Sequence, residues 1–218
     1  MTASAIITQL HQCWKIFCKS LGVPYNNEKS RTFFVELTQR YSEPHRYYHT
    51  LLHINSCLSE LGLVRIGLDN PLAVEMALWY HDAVYDTHAK DNEDRSADLA
   101  GNAASQLGMR ADFCRRVRNL IVATRHDALP IDRDAKYLAD IDLSILGANA
   151  KIFDQYDSEI RKEYDWVPKP IFREKRTEIL QAFLDRPRIY CTDRFRDLYE
   201  TEARQNLKRA IDRLRQNP

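Results

Sequence analysis

The sequence predicts an all-α chain, and three observations carry that prediction. Only six glycines occur in 218 residues. Most of the eight prolines fall between periodic segments rather than inside them, which is the punctuation of a helical protein. No run alternates apolar and polar residues with period two between hairpin turns, so strands are not expected.

Taken in order, the first helix is expected over Ala3–Ser20. Its segment MTASAIITQLHQCWK has no basic n-region, and Gln9, His11 and Gln12 interrupt the apolar run, so it reads as a mature helix rather than a signal peptide. Asn27–Tyr41 and Tyr47–Leu61 follow, the latter stopping before Gly62. Pro71–Tyr85 starts with a proline after Asn70, a first-turn arrangement. It places Val74, Ala77, Leu78 and His81 at i, i+3, i+4 and i+7, an apolar stripe that should face the core. Glu93–Leu107 opens in the acidic run Asp91-Asn92-Glu93-Asp94, which suits a helix dipole, and stops before Gly108. Asp112–Arg125 is rich in apolar residues. Asp134–Leu146 sets Leu138, Ile141, Ile145 and Leu146 on an apolar face and stops before Gly147. Lys151–Tyr164, Pro170–Asp185 and Asp193–Gln216 complete the series, Pro170 again suiting a first turn. With no repeat, low-complexity tract or flexible linker, residues 1–218 are expected to form a single-domain helical bundle with a C-terminal helical extension over about 150–218.

Composition narrows the class. Hydrophobic residues at 44% and charged residues at 29% describe an ordinary soluble globular chain long enough for a sizeable core. A net charge of +1 leaves no overall field to hold double-stranded nucleic acid or an anionic membrane. No window approaches the ~18 apolar residues of a membrane span. The odd count of five cysteines, scattered and without a CxxC, suggests reduced thiols in a cytoplasmic protein.

Four stretches can carry chemistry. In Arg46-Tyr47-Tyr48-His49-Thr50-Leu51-Leu52-His53, His49 and His53 stand one helical turn apart, either as a chelating pair or as surface histidines. The metalloprotease version requires Glu after the first His, where this chain has Thr50. His81 and Asp82 lie side by side in an apolar helical pattern, where burial of a carboxylate demands a compensating charge, and a metal ion is one such compensator. His126 ends an apolar helix as a second-metal ligand, a phosphate donor or a cation favoured by the dipole. Asp142, four residues after Leu138, turns toward a buried face, whereas Asp140 points elsewhere. The order is His, His-Asp, Asp, each on its own helix. This mixed nitrogen and oxygen set suits a divalent ion (Mn, Fe, Ni, Co, Zn or Mg) and leaves coordination positions open for water and substrate.

That order, with the segments RYYHTLLHI, ALWYHDAVYD, DNEDRSA and ADIDLSILG, resembles the HD superfamily of metal-dependent phosphohydrolases, and more closely its bacterial branch of predicted HD phosphohydrolases. The similarity runs from about Tyr41 to Gly147, which makes about 41–147 the HD-type core, with further likeness in the run EARQNL. The resemblance implies His53, His81, Asp82 and Asp142 as metal ligands. Cyclic-nucleotide phosphodiesterases share this core and begin with a similar YHxxxH, in which the second histidine is the ligand and the first protonates the leaving oxygen; by that precedent His53 is the ligand and His49 the general acid. Asp86 stands where those enzymes carry a further metal-bridging histidine, so one ion is expected. In the related alarmone hydrolases a Glu-Asp pair occupies the places of Tyr85 and Asp86, and this chain keeps half of it.

The implied activity is hydrolysis of a phosphoester or phosphoanhydride, on a small phosphorylated substrate of nucleotide type, by a metal-bound water. Asp86 or Glu93 would accept the proton of that water, Glu93 having a helix-capping role as its alternative. Arg46 is the first candidate to bind phosphate, with Arg125, Arg173, Arg176 and His126 as further ones, since guanidinium forks match phosphate oxygens. A di-iron oxygenase that recruits His126, or a non-catalytic nucleotide sensor, are the alternative functions. A homodimer is compatible with all three.

Overall fold

The computed structural model describes residues 3–24, 26–125 and 128–216, and among these the regular elements are helices with no strand. The protein is all-α. Its helices are α1 (Ala3–Ser20), α2 (Glu28–Arg40), α3 (Leu51–Val64), α4 (Pro71–Tyr80), α5 (Asn92–Gln106), α6 (Ala111–Val122), α7 (Arg133–Asp142), α8 (Ala150–Glu163), α9 (Lys169–Leu184) and α10 (Asp193–Gln216). The chain divides into two compact units, Met1–Leu138 and Ala139–Pro218, with the division inside α7. None of the described helices is long and apolar enough to cross a membrane.

In the first unit the core gathers around α4, in which every residue from Ala73 to Tyr80 is buried. The apolar stripe expected there is therefore not a one-sided face: α4 is enclosed all round, as a helix without amphipathic character should be. Trp14 of α1 meets Trp79 edge-to-face at 5.2 Å, and Leu10, Phe17, Phe34, Leu37 and Ile54 fill the surrounding space. Asn27 caps α2 by accepting the Ser30 N–H, and Asn70 caps α4 by accepting that of Ala73. The small residues Ala97, Ala100, Gly101, Ala103 and Ala104 make the buried face of α5, which packs on α6. Gly108, at φ +87°, ends α5 in the left-handed conformation that favours glycine.

α3 and α4 depart from the sequence expectation at ends that matter to the site, and the expected helix Asp112–Arg125 stops at Val122 with a 3-10 turn over Ala123–Arg125. α3 begins at Leu51 rather than Tyr47, so His49 lies in the preceding turn. Thr50 stops the helix from extending backward: it is extended (φ −117°, ψ −178°) and its hydroxyl accepts the Leu52 N–H. At its other end α3 runs through Gly62 to Val64, so Gly62 is interior and not a terminator. α4 stops at Tyr80 rather than Tyr85, which leaves His81 and Asp82 in a turn and Asp86 beyond it. The cause is competition for hydrogen bonds. The Val84 N–H goes to Ser96 Oγ instead of back into the helix, and Ala83 N–H closes a tighter turn on Tyr80 O.

In the second unit α8 and α9 pack on α10 around Phe153, Ile160, Leu180, Phe195, Leu207 and Ile211. The tail of the expected helix Asp134–Leu146 is instead a 3-10 turn, Leu143–Gly147, that lies against α10. Asn206 fixes it by donating to Leu146 O and Ala148 O, both at 2.8 Å. Asp140 is buried and accepts the N–H groups of Cys191 and Thr192 and the Thr192 hydroxyl, which sets the start of α10.

Candidate metal centre

The α4 terminus leaves its last carbonyls without helical partners, and the way these are satisfied builds the site. The Tyr41 hydroxyl donates to Trp79 O at 3.1 Å, Ala83 N–H donates to Tyr80 O at 2.9 Å, and the His81 ring takes Leu78 O at 3.0 Å through Nδ1. A carbonyl can only accept, so His81 Nδ1 carries the proton and Nε2 presents a lone pair. This is the orientation by which a protein holds a metal-binding imidazole.

That lone pair faces His53, which α3 projects inward. The two Nε2 atoms stand 3.0 Å apart, and Asp82 Oδ2 lies 3.1 Å from His81 Nε2 and 3.5 Å from His53 Nε2. The vertices of that triangle lie about 1.9 Å from a common centre, close to metal–ligand bonds of ~2.0–2.2 Å, so His53, His81 and Asp82 are spaced as residues that would hold one divalent ion. Both imidazoles are buried, while Asp82 keeps 21% of its side chain exposed. The site is thus lined by protein yet open at one edge. Burial by itself pushes the Asp82 carboxyl up, but the neighbouring imidazoles of His81, His49 and His53 outweigh it. They hold the group well below the usual carboxylate range, ready to face a cation.

Cys57 also reaches this region, and the sequence reading passed over it. Its Sγ lies 3.6 Å from His53 Nε2 and 3.8 Å from Nδ1, over the ring. One ligand atom each from His53, Cys57 and His81 fall within 4.8 Å of one another, forming a buried group able to hold a metal ion. The signal was present in the sequence: Cys57 is one turn after His53 on the same helix. Its isolation from the other cysteines hid it.

The remaining expected residues are distributed as follows. His49 comes near the site from the turn ahead of α3, its ring stacked on Tyr85 at 4.2 Å and 5.9 Å from the His53 ring. Asp86 is exposed, and its Oδ1 accepts the His88 N–H at 2.9 Å in a local turn. Glu93 lies in the first turn of α5 with Arg125 3.8 Å away, and Arg125 also pairs with Asp94. Arg46 is buried and its donors are held within the protein, as described below. In the second unit, Arg173 donates to Leu214 O near the end of α10, and Arg176 is buried against Asp157 at 3.1 Å and the Tyr156 ring. Each of these two arginines therefore has a structural use there. Asp142 is the last residue of α7, half-buried, and belongs to the second unit. His126 lies outside the described residues.

No family model matches the chain, and neither a curated protein nor a solved structure matches it.

Proposed function

We propose that this protein is a metal-dependent hydrolase of the HD type, acting on a phosphoester or phosphoanhydride of a nucleotide-like substrate. The observation that supports the reading is the convergence of His53 Nε2, His81 Nε2 and the Asp82 carboxylate on one point, with the His81 tautomer set by Leu78 O. His53, His81 and Asp82 would hold the ion, and Asp142 would add a second carboxylate, as the His, His-Asp, Asp order in the chain implies. When bound, a divalent ion lowers the pKa of water and neutralises developing phosphoryl charge.

The protein's own residues carry the rest. The proton on His81 Nδ1 stays with Leu78 O, so this imidazole holds its ligand orientation throughout turnover. Asp82, kept ionised by its neighbours, supplies negative charge without taking a proton near neutral pH. His49 is the general acid: Tyr85 stacks on its ring and fixes the direction in which it hands a proton to the leaving oxygen.

The test is purified protein assayed against nucleotide and phosphoester panels with Mn, Co, Ni and Mg, alongside elemental analysis. We expect turnover with at least one metal at one equivalent per chain. We expect His49→Asn to lower kcat by ~10²–10⁴-fold with metal content unchanged. Stoichiometric metal with no turnover on any substrate would overturn the catalytic reading. An absence of bound metal would overturn the site itself, leaving a proton shared between the two imidazoles.

A further inference from the structure

The loop between α2 and α3 closes over the C-terminal end of α4 through three side chains. Tyr41 binds Trp79 O, His45 Nε2 meets Tyr85 O at 2.9 Å, and Arg46 takes the carbonyls between them. Arg46 Nη1 donates to Asp82 O at 2.7 Å and to His49 O at 3.2 Å. Its Nη2 donates to Ala83 O at 3.3 Å and its Nε to the Glu43 carboxylate at 2.9 Å. The guanidinium lies 5.2 Å from the Tyr41 ring centroid and 5.3 Å from that of Tyr85, and the side chain is fully buried.

The sequence suggested that Arg46 binds substrate phosphate. The geometry points to another role. A planar fork with its donors on three main-chain carbonyls and one carboxylate fixes those four groups relative to one another. Two of the carbonyls belong to His49 and Asp82, the residues that bring the general acid and a carboxylate ligand to the site. We propose that Arg46 is a positioning residue of the metal centre: it locks the His49 turn to the His81-Asp82 turn. With the Asp82 peptide pinned, the carboxylate has a fixed origin from which to face His53 and His81. With the His49 peptide pinned, its ring stays stacked on Tyr85 and 5.9 Å from the His53 ring. Lysine, a point donor on a flexible stem, cannot span the same groups.

This inference rests on the metal reading of the site, so its test separates the two. The wild-type chain, Arg46→Met, Arg46→Lys and Asn70→Ala are titrated with Co(II). Affinity is followed calorimetrically and ligand geometry by the visible d–d absorption. Asn70→Ala is the control, because it removes the cap at the opposite end of α4 and touches no group of the site. Arg46→Met is expected to bind Co(II) ~10–100-fold more weakly, the range for residues that orient ligands, and with an altered d–d spectrum. Arg46→Lys should fall between it and wild type, and Asn70→Ala should keep the wild-type spectrum and affinity. Wild-type affinity and spectrum in Arg46→Met would overturn the proposal, as would equal weakening in Asn70→Ala. Should Arg46→Met lack the helical circular dichroism of the wild type, Arg46→Lys decides by the same criteria. Absence of Co(II) binding in the wild-type protein would sink the metal reading and this inference with it.

Discussion

Single residues at the end of α4 set the chemistry. The Asp82 carboxylate faces two imidazoles, and its removal takes away one corner of the triangle while leaving the backbone turn, which Arg46 holds through Asp82 O. Asp82→Ala is therefore expected to keep the helical far-ultraviolet spectrum and to lose stoichiometric metal; a variant that retains one ion per chain would refute its ligand role. Glu75 offers a separate probe of burial. It is enclosed in α4, and desolvation raises its pKa, with Arg65 at 2.6 Å offsetting this in part. A folded pKa above the unfolded value means that ionisation weighs against the fold as pH rises through that window. Urea unfolding of Glu75→Gln and wild type at pH 4 and pH 7 should show the variant gaining relative stability at the higher pH. A pH-independent difference would exclude the shift.

At the scale of elements, the terminators of helices do the positioning. Gly147 was expected to end a helix, and it does close the 3-10 turn after α7, yet not through a left-handed conformation. The reason is proximity: a Cβ there would stand 2.7 Å from Tyr199 O and 2.9 Å from Tyr199 Cα, both backbone atoms of α10 that cannot swing aside. Gly147→Ala should accordingly destabilise the protein by ~1–3 kcal/mol, read as a lowered urea midpoint. A neutral effect would mean that α10 can retreat. The end of α4 is likewise set by a neighbour in space. The apolar and aromatic character of Leu78 to Tyr85 extends the helical pattern past Tyr80, so periodicity alone overran the true end. The decisive groups, Tyr41 and Ser96, lie far away in sequence. Asn27, Asn70 and Gly108, which act on their immediate neighbours, were legible where they stand.

For the whole molecule, the proposed metal binding would be linked to stability, because a site assembled from α3 and the α4 turn exists only in the folded chain. At a free metal concentration of 100 Kd the gain is ~2.7 kcal/mol. In a chain of 218 residues this raises Tm by roughly 5–10 °C. Adding metal to chelator-treated protein should produce that rise, and Asp82→Ala should show none; identical melting with and without metal would argue against a buried ion.

The sequence by itself determined that the chain is all-α, where most helices start and stop, and that His53, His81 and Asp82 are residues to watch. Those features are local: propensity, caps and spacing act within a few residues. Only the tertiary structure decided that α4 ends before His81, that Leu78 O fixes the His81 tautomer, that Cys57 stands over the His53 ring, and that the Arg46 fork grips carbonyls. Each depends on which distant donor reaches an orphaned backbone or ring acceptor, and that is settled by packing rather than by the order of residues.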